Sequence, residues 1–491
     1  MNILVIDVGT SSIRGVIYDE KGHPVFWNPI ECRVRYYENG LAEQDPEEWI
    51  KAVYKITGEA AKFSDIHGIN IEGISLTSQR SSIIPVGNNR RPLRPAIMWQ
   101  DRRNADIVRE FEQYQDIVYR HTGARINTVF SGTKMTWFKR NEPDLYGKTM
   151  KICTIADYIV SRLTGNYATD PTYASRSLLM DLRTEQWDGS LTELFEIDEQ
   201  KLCEIVPSGS IIGNITEEFA RQTGVKNGIP LISAGGDQQC AALGQGVIRE
   251  GNVGITTGTG AFILGCSDSV PENLNPNIIC GAHAIPGKYV LESSVLTCAS
   301  LYNWAMRTFF PETVQIEEVN AAVERAPAGA NGCIVLPYFQ GRGTPDFNDQ
   351  AAGCFANLNL GTTRDDMVRA LLESIACETA INLEVMESYI GKIQNIYIGG
   401  GLTRFSEFNQ IQADVYRKEI VYDSDFSEQT SFGAWASAAV TLGIYDSYGK
   451  AISFEREKHH MRTYRPRMQT REIYENTLKK MQETYEKLYG I

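Results

Sequence analysis

The chain of 491 residues lacks any apolar run close to the roughly 18 residues that a membrane-spanning helix needs. Near the N-terminus, Asp7 interrupts the short apolar run Ile3 to Ile6 and no basic stretch precedes it, so a secretory signal is not indicated. The ten cysteines are scattered and include no Cys-x-x-Cys pair, which argues against a zinc site and a disulfide framework. These absences predict a protein of the reducing cytoplasm without membrane contact.

Both familiar nucleotide-binding loops are missing as well. Gly147-Lys148-Thr149 ends like a P-loop, but Glu142 stands where that motif needs its first glycine, and no Gly-x-Gly-x-x-Gly follows a strand. The net charge of −13 argues against binding of nucleic acid through bulk electrostatics. Nucleic acid is therefore not expected as a partner, and any nucleotide must be bound by another kind of loop.

What the sequence does contain is a polar turn between two short apolar runs, Ile3 to Ile6 and Val16 to Tyr18. Such β-branched runs bounded by glycine predict a β-hairpin. Glycine amides and hydroxyl groups bind anions, and a carboxylate fits beside them when a divalent cation lies between. The alternatives are a phosphate-and-metal site and an ordinary turn. The polar residues at the tip are Asp7, Thr10, Ser11, Ser12 and Arg14.

The layout recurs from Asn252 to Leu264, where a Gly-Thr-Gly turn again separates two apolar runs. Two such hairpins half a chain apart suggest two related domains that face one nucleotide, the first at its terminal phosphates and the second at the inner ones. A third turn, Gly399 to Gly401, follows a strand-like run and precedes a segment with helical spacing. Such a turn can lie against a phosphate or a base.

Two further polar clusters follow predicted strands. Gln79 and Arg80 come after the run Ile69 to Ser75, and Asp237 and Gln238 come after a strand that ends in two glycines. Ligand sites of α/β folds lie beyond the carboxyl ends of strands, so these residues are candidates for substrate contacts. The alternatives are a surface arginine at position 80 and an aspartate at position 237 that merely caps a helix.

These elements together resemble the FGGY carbohydrate kinases, which have an actin-like ATPase fold. The resemblance covers nearly the whole chain. Within the family, the first half looks most like glycerol kinase, and the second half, with Pro337-Tyr338 and Thr344-Pro345, looks like the xylulose kinase branch. The segments that carry it are Asp7 to Thr10, Arg94 to Arg103, Phe130 to Trp137, Gly236 to Gln239, Thr257 to Gly260, Leu372 to Ser374 and Gly399 to Gly401.

The resemblance implies an α/β fold of two ribonuclease H-like domains with a cleft between them: residues 1–246 on the substrate side, 247–450 on the nucleotide side, and a helical extension, 451–491. It implies a kinase that uses ATP and Mg²⁺ to phosphorylate a small polyol or ketose, with Asp237 as general base and Asp7 near the magnesium. Substrate contacts would come from Gln79, Arg80, Asp237 and Gln238. Contacts to ATP would come from Thr10, Ser11, Ser12, Arg14, Thr259, Gly400 and Gly401.

Several positions depart from glycerol kinases. Ser81 follows Arg80 where those enzymes have glutamate, and Val129 precedes Phe130 where they have tyrosine. Ala299 and Asn303 replace a glycine and a glutamine on the nucleotide side. A site that loses polar partners discriminates weakly for a hydroxyl, so a substrate other than glycerol is expected. Glycerol kinase proper, an actin- or chaperone-like ATPase and an inactive sugar sensor remain as alternatives. The assembly is left open between a homodimer and a homotetramer.

Overall fold

The structure of the protein is a computed structural model that describes residues 1–423, 428–456 and 461–490. A mixed sheet of six strands forms the core of the N-terminal domain, in the order β5-β6-β4-β1-β2-β3. Its strands are β1 (Asn2–Val8), β2 (Ser12–Tyr18), β3 (Pro24–Glu31), β4 (Ile71–Ser78), β5 (Ile211–Asn214) and β6 (Pro230–Gly236).

A mixed sheet of seven strands forms the core of the C-terminal domain, in the order β9-β10-β8-β7-β11-β12-β13. Its strands are β7 (Asn252–Thr257), β8 (Ala261–Ser267), β9 (Ile279–Ala282), β10 (Tyr289–Val295), β11 (Asn395–Gly399), β12 (Ile420–Asp423) and β13 (Met461–Tyr464). Short strands elsewhere are Arg35–Tyr36, Ala42–Gln44, Ile84–Val86, Ala96–Ile97, Lys151–Cys153, Ala168–Thr169, Met180–Asp181, Gln186–Trp187, Glu204–Ile205, Ile334–Leu336 and Cys354–Ala356.

Helices cover the sheets and fill the connections. Their bounds are Pro46–His67, Ala105–Phe111, Gln115–Thr122, Ser131–Asn141, Pro143–Lys148, Ile155–Thr164, Pro171–Ala174, Gly189–Leu194, Glu217–Thr223, Asp237–Gln245, Ala299–Phe309, Ile316–Arg325, Arg364–Ile390, Ser406–Tyr416, Gln429–Thr441, Tyr448–Arg456 and Arg471–Tyr489. Among the described residues, no helix combines the length and the apolar character that crossing a bilayer would take.

The two sheets share one topology. In each, three antiparallel strands (β3-β2-β1 and β10-β8-β7) are followed by two strands parallel to the innermost one (β4-β6 and β11-β12). A helix then leaves each last parallel strand, Asp237–Gln245 after β6 and Gln429–Thr441 in the C-terminal domain. The repeated hairpins of the sequence are thus β1-β2 and β7-β8, as predicted for two related domains.

Strand β1 is buried on both faces, which explains its uninterrupted apolar run. Leu4 and Ile6 pack in the cluster that contains Trp49 of the helix Pro46–His67. Ile3 and Val5 pack in a second cluster with Trp435 of the helix Gln429–Thr441. Because side chains of a strand alternate between faces, Asp7 continues the second face. The strand therefore delivers its one carboxylate to the side where the two domains meet.

The helices Asp237–Gln245 and Gln429–Thr441 cross at two glycines. A Cβ atom on Gly433 would lie 1.8 Å from the carbonyl oxygen of Cys240, and one on Gly244 would lie 2.1 Å from that of Gln429. Glycine is thus the one residue that allows this backbone contact. The second helix also packs on the N-terminal sheet, where Ser75 Oγ donates to the carbonyl of Ala434 at 2.7 Å.

The segment after residue 450, expected to be a helical extension, is an integral part of the C-terminal domain. Its strand β13 pairs antiparallel with β12 and extends the C-terminal sheet. The helix Arg471–Tyr489 packs its buried Tyr474, Met481 and Tyr485 in the core cluster of the same domain. Residues 457–460 and 491 of the predicted extension lie outside the described residues.

The glycine crossing generates a prediction about stability. The substitution Gly433→Ala should lower the melting temperature by about 4 °C or more, because the new methyl group overlaps the backbone of the opposing helix and forces the two helices apart. Differential scanning calorimetry of the purified variant measures the effect.

The matched control is Gly147→Ala. Gly147 lies exposed in the helix Pro143–Lys148, and a Cβ there meets no atom within 4 Å. Alanine is the better helix former, so this variant should match or slightly exceed the wild type in melting temperature. Equal melting temperatures for all three proteins would show that the crossing tolerates a side chain.

Candidate active site

The tip of the first hairpin is held in shape by its own backbone and by neighbouring polar groups. The amide of Gly9 donates to the carbonyl of Ser12 at 3.0 Å. Thr10 Oγ1 donates to Gln79 Oε1 at 3.3 Å and accepts from Trp99 Nε1 at 3.2 Å. Gln79 Nε2 in turn donates to the carbonyl of Gly9 at 3.3 Å. Gln79 therefore supports the hairpin from the end of β4 while it also lines the adjoining cavity.

Asp7 is the buried acidic group of this hairpin. Its carboxylate lies 3.7 Å from Arg14 Nη2 on the paired strand, and Arg14 Nη1 donates to Glu428 of the C-terminal domain at 2.8 Å. Burial raises the pKa of Asp7 to about 7; Arg14 opposes this, and the charges of Asp237 and Glu428 add to it. Arg14 therefore lies between two carboxylates, Asp7 and Glu428, and Asp237 adds a third negative charge that acts on Asp7.

Asp237 stands at the end of β6 and begins the helix Asp237–Gln245. Its Oδ1 accepts a hydrogen bond from the backbone amide of Gln238 at 2.8 Å and lies 3.4 Å from Arg80 Nε. No described residue hydrogen-bonds Oδ2, and 27% of the side chain is exposed. Burial raises the pKa of Asp237, while Arg80 lowers it. The capping alternative is wrong, since Gly236 is the N-cap and no side chain caps this helix.

Arg80 is a bridge between carboxylates, so the alternative of a surface arginine is wrong. Besides its contact with Asp237, its Nη1 donates to Gln239 Oε1 and to Glu292 Oε1, both at 3.2 Å. A Cβ on Gly236 would lie 2.6 Å from Arg80 Cδ, so the glycine at that position leaves room for the arginine stem.

A cavity of about 340 Å³, here named the arginine cavity, opens in front of these groups. It brings together the predicted residues Thr10, Gln79, Arg80, Asp237 and Gln238. Ser81 and Val129, the positions that depart from glycerol kinases, also line it. The C-terminal domain contributes Phe262, Ile279 and Glu292, so the cavity lies between the domains.

A second cavity of about 380 Å³, the glycine cavity, is lined by Arg14, Gln238, Gly400 and Gly401 among the predicted residues. Gly400 has a φ of +98°, and a Cβ there would lie 2.4 Å from the carbonyl oxygen of Thr257. The close approach of the turn to β7 thus requires glycine. Gln238 lines both cavities, so the two share a wall at the start of the helix Asp237–Gln245.

Three predicted nucleotide contacts line neither cavity: Ser11, Ser12 and Thr259. Ser11 and Thr259 are exposed at the tips of their hairpins. The carbonyl of Thr259 accepts the amides of Cys298 and Ser300, at 2.8 and 3.3 Å, so this hairpin is tied to the start of the helix Ala299–Phe309.

Sequence reasoning missed several residues of the site. Glu292 binds Arg80, and Arg176, which is buried, forms an ion pair with the same carboxylate. Glu428 pairs with Arg14. Glu292 could have been identified from the sequence, because it is a lone carboxylate within the apolar strand β10. Arg176, in a short 3₁₀ turn between two serines, and Glu428, at the N-cap of the helix Gln429–Thr441, had no such signal.

Both halves of the chain match domains of one known protein family. The N-terminal domain of the FGGY family of carbohydrate kinases matches residues 2–244, and the C-terminal domain of that family matches residues 253–442. The chain is 31% identical over 457 residues to a glycerol kinase from Thermococcus gammatolerans, covering 91% of this chain and 90% of that protein. It is 29% identical over 456 residues to a xylulose kinase from Lactococcus lactis, covering 91% and 89%.

Solved structures agree with this. Glycerol kinase from Plasmodium falciparum, solved with ADP, superposes with a TM-score of 0.90 at 28% identity and covers 98% of both chains. Gluconate kinase from Lactobacillus acidophilus superposes with a TM-score of 0.92 at 25% identity, covering 99% of this chain and 98% of that one. The predicted two-domain actin-like fold is confirmed by these similarities.

The turn at Gly400 lies too close to β7 for any side chain. Gly400→Ala should weaken ATP binding about tenfold or more, because its methyl group pushes the turn away from β7 and distorts the wall of the glycine cavity. Titration calorimetry with a non-hydrolysable ATP analogue measures the affinity.

The control for backbone strain is Gly287→Ala. Gly287 has a φ of +74°, but a Cβ there meets no atom within 4 Å. That variant should show only the destabilisation of about 1–2 kcal/mol that a left-handed residue carries, with unchanged ATP affinity. If both variants bind the analogue like the wild type, the turn does not shape the nucleotide site.

Proposed function

Because this chain belongs to the FGGY family of carbohydrate kinases, we propose that it transfers the γ-phosphate of ATP to a hydroxyl of a neutral polyol or ketose larger than glycerol. The chain is an ATP-dependent alcohol phosphotransferase, as its family is; the acceptor and the residue roles are the proposal. The observation that carries it is the open Oδ2 of Asp237, which lies in a cavity between the domains and beside the cavity of the glycine turn.

In the proposed mechanism Asp237 is the general base. The acceptor hydroxyl donates its proton to Oδ2 while its oxygen forms the new bond to the γ-phosphorus, and the bond from that phosphorus to the bridging oxygen breaks to leave ADP. Such proton transfer contributes about 10²–10⁴-fold to the rate. The amide of Gln238 and the guanidinium of Arg80 hold Oδ1, so the side chain keeps one orientation during the transfer.

The proposed nucleotide contacts lie on both hairpins and on the glycine turn. Thr10, Ser11, Ser12 and Arg14 would bind the terminal phosphates, whereas Thr259, Gly400 and Gly401 would bind the inner phosphates and the base. Gln238, in the shared wall, would contact both the acceptor and the transferring group. Positioning of the two reactants by such contacts supplies most of the catalysis in phosphoryl transfer.

Asp7 fits a divalent cation. Its carboxylate is buried, no described residue donates a hydrogen bond to it, and Asp237 and Glu428 add negative charge nearby. Carboxylate oxygens are the ligands that Mg²⁺ prefers alongside substrate phosphates. When bound, the ion would neutralise charge on the phosphates of ATP. Arg14, which lies between Asp7 and Glu428, would add a second positive charge at the same place.

The charge balance of the arginine cavity supports a neutral acceptor. Arg80 and Arg176, the two cations that line it, are paired with Asp237 and Glu292. A carboxylate on the substrate would therefore meet two anions and no unpaired guanidinium among the described lining residues. Ser81 and Val129 replace the glutamate and tyrosine of glycerol kinases, which removes hydrogen bonds and leaves room for a longer acceptor.

The proposed division of the chain is 1–246, 247–450 and 451–491. A homodimer or homotetramer in the cytoplasm, without nucleic acid as a partner, completes the proposal. Closure of the two domains over the acceptor would exclude water from the cavity, because water there would otherwise accept the phosphoryl group.

ADP release, measured with a panel of glycerol, erythritol, pentitols, ketopentoses and gluconate, should be fastest with a neutral acceptor of four or more carbons. Gluconate should be a poor acceptor, because its carboxylate opposes Asp237 and Glu292.

The same panel separates the alternatives. Preference for glycerol would identify a glycerol kinase proper. ADP release that no acceptor stimulates would support an ATPase of the actin or chaperone type, and binding of a sugar without turnover would support a sensor. Preference for gluconate would overturn the charge argument.

Asp237→Asn should reduce phosphorylation by at least about 10²-fold while ATP binding is retained, since the amide cannot accept the proton. In the wild type, kcat/KM should fall as the pH drops through the pKa of Asp237. Because that pKa is raised above 3.8, the loss begins at a higher pH than an ordinary aspartate would give.

The control is Asp144→Asn, an exposed aspartate of the same domain, which should leave both the rate and its pH profile unchanged. Turnover of Asp237→Asn within a few-fold of the wild type would remove this residue from its role.

A further inference from the structure

Glu292 is a carboxylate of the C-terminal domain that reaches into a cavity whose other polar residues belong to the N-terminal domain. It lies on β10, where apolar neighbours Leu291 and Val295 are buried in the domain core. Only 12% of its side chain is exposed. A charged group at such a position is costly unless it is paired, so its retention in this strand needs a reason.

Ion pairs and hydrogen bonds occupy one of the two carboxylate oxygens of Glu292. Glu292 Oε1 accepts from Arg80 Nη1 at 3.2 Å and from the buried Arg176. Oε2 has no hydrogen-bond partner among the described residues and is not enclosed by protein atoms, so it is open to the arginine cavity. Burial by itself raises the pKa of Glu292, but Arg176 and Arg80 outweigh it and hold the pKa below its usual value. The open oxygen therefore belongs to an ionised group.

Arg80 relates this oxygen to the proposed catalytic base. Its Nε faces Asp237 Oδ1 and its Nη1 faces Glu292 Oε1, so one planar guanidinium sets the spacing of the two carboxylates. Each carboxylate keeps its second oxygen free. An acceptor that presents one hydroxyl to Asp237 would thus meet a second strong hydrogen-bond acceptor on the other side of Arg80.

We propose that Glu292 is a specificity-determining residue, whose Oε2 accepts a hydrogen bond from a second hydroxyl of the substrate. This rests on the proposed kinase function and names a contact within it. The carboxylate absent at position 81 is replaced by one from the opposite domain, so a polyol is recognised by both domains at once.

Glu292→Gln tests the contact. The variant should lower kcat/KM for the preferred acceptor by about 10–100-fold, the range for a lost hydrogen bond to a charged group, with the KM for ATP within about twofold of the wild type. Glu318→Gln, an exposed glutamate of the same domain, is the control and should change neither value. Glu292→Asp keeps the charge beside both arginines but withdraws the oxygens by one methylene, and it should show the same selective loss if the glutamine variant does not fold.

Deoxy analogues separate a direct contact from an indirect one. For the analogue that lacks the hydroxyl bound by Glu292, wild type and Glu292→Gln should have the same kcat/KM; for the other analogues the difference should persist. A loss of equal size with every analogue would show that Glu292 acts only by holding Arg80 and Arg176, and would overturn the proposal. Unchanged kinetics in the variant would overturn it too. A wild type that phosphorylates no acceptor at all would instead refute the proposed function.

Discussion

The structure depends on a backbone contact between two helices that start beside the candidate site. At Gly244 and Gly433 the helices Asp237–Gln245 and Gln429–Thr441 approach too closely for any side chain. Each helix leads away from the carboxyl end of its own sheet, so the crossing brings these two ends face to face. A ligand between them is reached by polar groups from both sheets, which is the general rule for open α/β folds applied twice.

Charge inside the crevice is organised around arginines rather than around unpaired ions. Arg80 and Arg176 neutralise Asp237 and Glu292, and Arg14 lies between Asp7 and Glu428. Leaving a buried carboxylate without its arginine partner costs several kcal/mol, so the fold requires each of these arginines. Asp237 and Glu292 each keep one carboxylate oxygen free for a hydroxyl. Asp7 and Glu428 share a single arginine and so retain an excess of negative charge, which suits a cation and its phosphates.

The parts of the site that follow local rules could be predicted from the sequence. The hairpin of Asp7 and the glycine turn at Gly400 have signatures within a few residues, and Asp237 follows a strand and two glycines. The residues that escaped prediction act across domains. Glu292 and Arg176 lie more than a hundred positions apart and meet only because β10 faces the N-terminal domain. Thr259 shows the reverse: its motif is clear, yet the hairpin tip is exposed and lines neither cavity.

Asp237 also acts electrostatically on the first hairpin. The charge of Asp237 raises the pKa of Asp7, so the arginine cavity and the first hairpin are electrostatically coupled even without ligands. A cation at Asp7 would add positive charge near Asp237 and favour its ionised, proton-accepting form. Nucleotide binding with its cation would thereby prepare the base for the acceptor. The electrostatic cost of burying Asp7 and Asp237 near each other would thus be offset once the nucleotide and its cation are bound.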